Sequence, residues 1–170
     1  MKKLILTVSL AFFVLSVGFG QTREERKALK EQEKLANFEE AKSLIESGSF
    51  SFVADWMQSR HGIQRRVINR LAYLRISDNN AEAYFPYFGI VRSGAAHDGG
   101  GIEFNDEMRD YQVSVDESNK SIKVSFKVSH KSEHYQVELR LIKGKHVNVL
   151  VQSNKRDSMD FIGSLHTFEE

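Results

Sequence analysis

The sequence predicts a mainly β fold: an antiparallel meander, closed as a barrel or folded as a sandwich, led in by one N-terminal α-helix. Three observations carry this expectation. From Tyr111 onward, apolar and polar residues alternate with a period of two through successive segments, the mark of half-buried strands. Short polar turns such as "DESNK" and "KGK" separate those segments, which makes consecutive strands antiparallel neighbours with one wet face. Helical periodicity, by contrast, stops at Gly48.

Taken in order, the chain opens with "MKKLILTVSLAFFVLSVGFGQ". Lys2 and Lys3 form a positive n-region, Leu4 to Val17 an apolar run, and Gly18 and Gly20 the small residues of a cleavage point. The spacing predicts a signal peptide over residues 1–20, too short to span a bilayer comfortably, with an uncleaved anchor as the alternative. The protein is therefore expected to be secreted, to the periplasm or the extracellular space, with no membrane span once the signal is removed. Export usually invites disulfides, yet the chain has no cysteine, so the fold must stand on packing alone. Without Lys2 and Lys3 the mature chain carries 22 basic against 23 acidic side chains. Near neutrality excludes the overall basic footprint of a nucleic-acid binder.

Residues 21–47 predict a charged helix. Thr22 and Glu25 fit a capping box and Gly48 a stop. Glu24/Lys27, Glu31/Lys34 and Glu39/Lys42 are spaced to pair across one turn. Leu35, Phe38, Ala41 and Ile45 form one apolar stripe, so the second half docks on a core while the first half is solvated. Whether this helix is a spacer or a docking element stays open at this point.

Residues 48–170 predict the β domain. "FSFVADW" puts Phe50, Phe52, Ala54 and Trp56 on one face, "QSRHGIQ" reads as a turn, and "RRVINRLAYLRIS" as a strand before the turn "SDNN". In that strand Val67, Leu71 and Tyr73 would share a face, with a register change at Leu74 and Ile76. Later, Ile122, Val124, Phe126 and Val128 share a face, as do Tyr135, Val137, Leu139 and Leu141, then Val147, Val149 and Val151, and finally Phe161, Gly163 and Leu165. Lys123, Lys127, Glu138 and Arg140 fall on the wet side.

The stretch "FSFVADW" after a leading helix, with "YFPYFG", "GGGIEF" and a closing "DFIGSL", resembles the exported bacterial family known as domain of unknown function DUF4251, over roughly residues 36 to 166. The most characteristic parts are "PYFG" at Pro86 to Gly89 and the aromatic-x-Gly at Phe161 to Gly163. The resemblance implies a small exported protein and brings no activity, ligand or catalytic residue with it.

Candidate chemistry concentrates in residues 81–104. Pro86, the only proline, cannot donate to a ladder and belongs at a strand edge or turn. Gly89 permits a bend or a close approach of backbone. Tyr84 and Tyr87 either fill a core aromatic cluster or form a stacking platform for a sugar or lipid. Gly99, Gly100 and Gly101 could form a nest of amide donors for an anion, but no Gly-Lys-Ser/Thr follows. Arg92, His97 and Asp98 complete the candidate contact region, with His97 and Asp98 too adjacent to form a dyad without a third partner. His130 and His134 have the spacing of zinc ligands on a helix, but here they flank a hairpin.

The sequence thus leads to a non-catalytic, exported binding or envelope-associated module, taking an unknown small molecule or envelope component and no cofactor or metal. Two alternatives remain. One is a hydrolase of an envelope polymer using His97, Asp98 and Glu103. The other is an assembly protein acting through the helix at residues 22–46.

Overall fold

A computed structural model describes residues 22–92, 100–144 and 146–168. The predicted signal peptide lies outside these residues. The helix α1 runs Arg23–Glu46. Its first turn is the predicted capping box: Thr22 Oγ1 accepts from the Glu25 amide at 3.1 Å and Glu25 returns a bond to the Thr22 amide at 2.9 Å. Its last turn ends on Gly48, whose φ of 74° lets the amide fold back to the Ile45 carbonyl. Phe38, Ala41 and Ile45 are buried. Leu35, expected on the same stripe, is exposed, so docking on the core begins one turn later than the sequence pattern implied.

Ten strands follow among the described residues: β1 Ser49–Ser59, β2 Gln64–Arg66, β3 Tyr73–Ser77, β4 Asn80–Pro86, β5 Gly101–Glu107, β6 Arg109–Asp116, β7 Ser121–His130, β8 Glu133–Ile142, β9 His146–Ser153 and β10 Met159–Thr167. They form one antiparallel sheet in the order β5-β4-β3-β1-β10-β9-β8-β7-β6, with β2 added to β1. The two ends of this order, β5 and β6, are consecutive in the chain and joined only through buried Met108. One bent strand therefore pairs with β4 in its first half and with β7 in its second. This nearly closes the sheet as a barrel, resolving the choice between barrel and sandwich. Asp110, with φ of 55°, sits in the bulge between Arg109 and Gln112 that makes the bend.

The interior is apolar and rich in aromatic side chains. Phe50, Phe52, Phe85, Phe104, Phe126 and Phe161 are all at most 1% exposed, and Phe85 stacks on Phe161 with ring centroids 4.3 Å apart. Phe38, Ala41 and Ile45 of α1 belong to the same core cluster. The predicted inward faces of β7, β8 and β9 are buried throughout. On the wet face Lys123 meets Glu138 at 2.9 Å and Arg140 also pairs with Glu138.

Two expectations need correction. Trp56 does not share the face of Phe50, Phe52 and Ala54. Its partner in β10 is Ile162 while that of Ala54 is Gly163, so Asp55 is an extra residue in a bulge and Trp56 turns outward, 42% exposed. Residues 65–77 are not one strand either. Asn69 and Arg70 both adopt left-handed backbone, φ 57° and 54°, and the Leu71 amide bonds the Ile68 carbonyl. That is a type I′ turn, and it leaves Leu71 exposed, away from Val67 and Tyr73.

Candidate functional site at the loop end of the barrel

The registers place the end of β1, the start of β3, the β4–β5 connection, the β7–β8 turn and the β9–β10 connection at one end of the barrel. This loop end is organised by two neighbouring residues of the last connection, Arg156 and Asp157, both under 10% exposed.

Arg156 points inward across the seam. It donates from Nε to Glu133 Oε1 at 3.0 Å and from Nη2 to Oε2 at 3.2 Å, and its Nη1 reaches the Gly101 carbonyl at 2.7 Å. One guanidinium thus ties β8 to β5, which do not pair with each other in the sheet. The pair is a planar fork on a carboxylate, the strongest form of charge-assisted hydrogen bond. Ser153 also donates to Glu133. Burial on its own would push the Glu133 carboxyl up. The bonds from Ser153 and Arg156, with the charge of the guanidinium, bring it below the ordinary value. Tyr135, next to it, is pushed up by burial first and then by the Glu133 charge.

Asp157 gathers the loops. Its carboxylate accepts from Arg92 Nη2 at 3.0 Å, with Arg60 Nη1 and His61 Nε2 each 3.9 Å away. Its amide donates to the Ile90 carbonyl at 3.1 Å and to the Tyr87 hydroxyl at 3.0 Å. That hydroxyl in turn donates to Ile90 at 2.7 Å. The Arg92 amide closes a short antiparallel bridge onto the Lys155 carbonyl at 2.7 Å. The 87–92 segment is therefore held against one buried carboxylate, with Arg60 and His61 of the 60–63 turn close by.

The glycine of "PYFG" now has a physical reason. A Cβ on Gly89 would lie 2.5 Å from the Tyr87 hydroxyl oxygen, so glycine is needed for the tyrosine to fold back over its own chain. Tyr87 lies under Arg156, whose guanidinium carbon is 5.4 Å from the ring centroid. Arg65 covers Phe88 in the same way at 4.6 Å.

The residues singled out from sequence divide clearly. Tyr87 and Arg92 converge on Asp157. Tyr84 lies on the outer face of β4, opposite Tyr73 and Glu103, with its ring edge over Gly101. His97 and Asp98 lie outside the described residues. Gly100 has φ of 84° and Gly101 begins β5, with no helix at that point. His130 and His134 stand opposite Glu133 and Ser129 in the β7–β8 ladder, hence on opposite faces of the hairpin. His130 Nδ1 contacts Asp106 at 2.6 Å, while His134 Nδ1 contacts Ser129 at 2.8 Å. Arg156 and Asp157 were missed, and so was the pairing of Glu133 with Arg156, because residues 23 positions apart carry no sequence signal of meeting.

A second surface, a polar groove of about 710 Å³, runs over the outer face of β7, β8 and β9 between Arg109, Lys127, Gln136 and Asn154. Most of its charged side chains are already paired: Lys127 with Asp110, and Arg109 and His134 with Ser129, while Asn154 accepts from the His134 amide.

Comparison with known proteins bears on the fold. A family model described as domain of unknown function DUF4251 matches residues 32–165. The structure is similar to a crystal structure of a DUF4251 family protein from Bacteroides eggerthii DSM 20697. The TM-score is 0.63 at 18% sequence identity, covering 78% of this chain and 88% of that one. No curated protein matches the chain.

Proposed function

The chain belongs to the DUF4251 family, and we propose that it is an exported, non-catalytic binding module of the cell envelope whose contact surface is the loop end of the barrel. The observation that carries this reading is the contrast between a filled interior and a built exterior. Six phenylalanines occupy the space where a small barrel would otherwise hold a ligand, so recognition falls to the outside. At the loop end a buried carboxylate and a buried guanidinium hold three connections in fixed relation. Surfaces that bind are typically loops positioned by a rigid scaffold.

Export rests on the apolar run Leu4 to Val17 behind Lys2 and Lys3. Among the described residues no helix is long and apolar enough to cross a membrane.

The test is binding of the full chain to isolated envelope fractions, membrane and polymer separately, comparing wild type with Asp157→Asn. Asp157→Asn frees Arg92 and loosens the 87–92 segment, so weaker binding with an intact far-ultraviolet spectrum supports the reading. Turnover in a broad hydrolase screen, lost in His97→Ala, contradicts it.

A further inference from the structure

Between Asp55 and Asp78 the chain has five arginines and no acidic residue, and none lies between Glu82 and Arg92. In a chain of net charge +1 this is a strong local asymmetry, and the fold brings both stretches to the loop end. Arg60, Arg65, Arg66 and Arg70 are all exposed there. Of the acids at that end, Glu133 and Asp157 are buried and engaged, while Asp55 and Glu103 are exposed.

Between the arginines stand aliphatic side chains facing water: Ile63 at 56%, Ile68 at 71%, Leu71 at 53%, Ile90 at 62% and Val91 at 50% exposed. Ile68 and Leu71 flank the type I′ turn, which places an arginine, not glycine, at its second left-handed position. Left-handed backbone at a residue with a long side chain is strained and persists only where the surroundings enforce it. The turn projects two aliphatic tips and one guanidinium together. Trp56, opposite Arg66 in the β1–β2 ladder, is a large exposed aromatic on the same side.

We propose that this end docks on a bilayer surface rich in anionic phospholipid, with Ile68, Leu71, Ile90 and Val91 entering the headgroup boundary and Arg65, Arg66 and Arg70 binding lipid phosphates. The inference rests on the reading that the loop end is the contact surface, and names its partner. The chemistry fits a lipid surface better than a protein groove. The aliphatic tips stand in two pairs, Ile68 with Leu71 on the turn and Ile90 with Val91 on the 87–92 segment, each pair close in sequence to an arginine. Arginine is the side chain suited to phosphate, and apolar tips ringed by cations, with tryptophan at their margin, match the layered polarity of a membrane interface.

Trp56 is the only tryptophan, so the full chain carries its own reporter at this end. The experiment titrates the protein with phosphatidylcholine vesicles, with and without phosphatidylglycerol, and follows Trp56 emission and its quenching by brominated lipid. The expected result is a blue shift and quenching with phosphatidylglycerol only, reversed by salt. Arg65→Gln/Arg66→Gln/Arg70→Gln weakens binding about 100-fold, at roughly fivefold per arginine. Ile68→Asn/Leu71→Asn, exposed and so neutral to folding, removes quenching. No change in Trp56 with either vesicle, or a response indifferent to both sets of substitutions, overturns the proposal. A response to a soluble acidic polypeptide without one to vesicles also overturns it, while leaving the loop end as a binding surface. A response to neither overturns the lipid proposal, and binding to the polymer fraction then decides the loop-end reading.

Discussion

Glu133 holds Arg156 in a place where neither can reach much water, and the consequences are measurable at that one residue. Glu133→Gln leaves the guanidinium buried without its counter-charge, which destabilises by about 3 kcal/mol. Urea denaturation checks this. The folded carboxyl lies below its ordinary value of 4.5, so the unfolded chain takes up protons before the folded one as acid is added. The stabilisation is complete above pH 4.5 and is lost as pH falls through the lowered folded value. In Glu133→Gln that acid limb flattens, and a pH series of melting temperatures separates the two proteins. Tyr87→Phe removes a hydroxyl that serves both Ile90 and Asp157. It destabilises by about 1–2 kcal/mol and loosens the 87–92 segment. These residues show where sequence reading stops. Tyr87, Gly89 and Arg92 stood out because proline, glycine and aromatics mark unusual backbone. Glu133 and Arg156 carry no such mark, since their meaning lies in a contact across the barrel seam.

Among the elements, β1 and β10 define what could and could not be foreseen. The alternation of Phe50, Phe52 and Ala54 was legible because strand period is a property of the sequence. The bulge at Asp55 was not, because it depends on Gly163 of β10, more than 100 residues away. A Cβ on Gly163 would stand 1.9 Å from the Val53 carbonyl oxygen, so the two backbones approach as only glycine allows. Gly163→Ala is expected to destabilise by about 3 kcal/mol, measured by chemical denaturation, and to disturb the Trp56 environment. The type I′ turn was equally hidden: "VINRL" has the composition of a strand, and nothing local announces left-handed backbone at Arg70. Arg70→Gly relieves that strain and is expected to raise stability by about 1 kcal/mol while weakening binding to anionic surfaces. Stability and binding moving in opposite directions would show that the arginine is held there for contact.

For the molecule as a whole, the barrel closes because one strand, β5 running through Met108 into β6, serves both ends of the sheet. The meander was readable from its turns. Closure was not, since it depends on the left-handed Asp110 and on side chains such as Arg156 that bridge strands without pairing them. The last turns of α1 complete the core, and Phe38→Ala is expected to destabilise the barrel by about 3–4 kcal/mol, read as a lower denaturation midpoint. With large aromatic side chains packed inside, the proposed contact surface lies outside, at the loop end whose shape the buried charges maintain. Amide hydrogen exchange of the full chain, with and without vesicles containing phosphatidylglycerol, tests this most directly. Added protection confined to residues 60–72 and 87–92 is the predicted result. Protection over the outer groove between Arg109 and Asn154, with none at those loops, would contradict it.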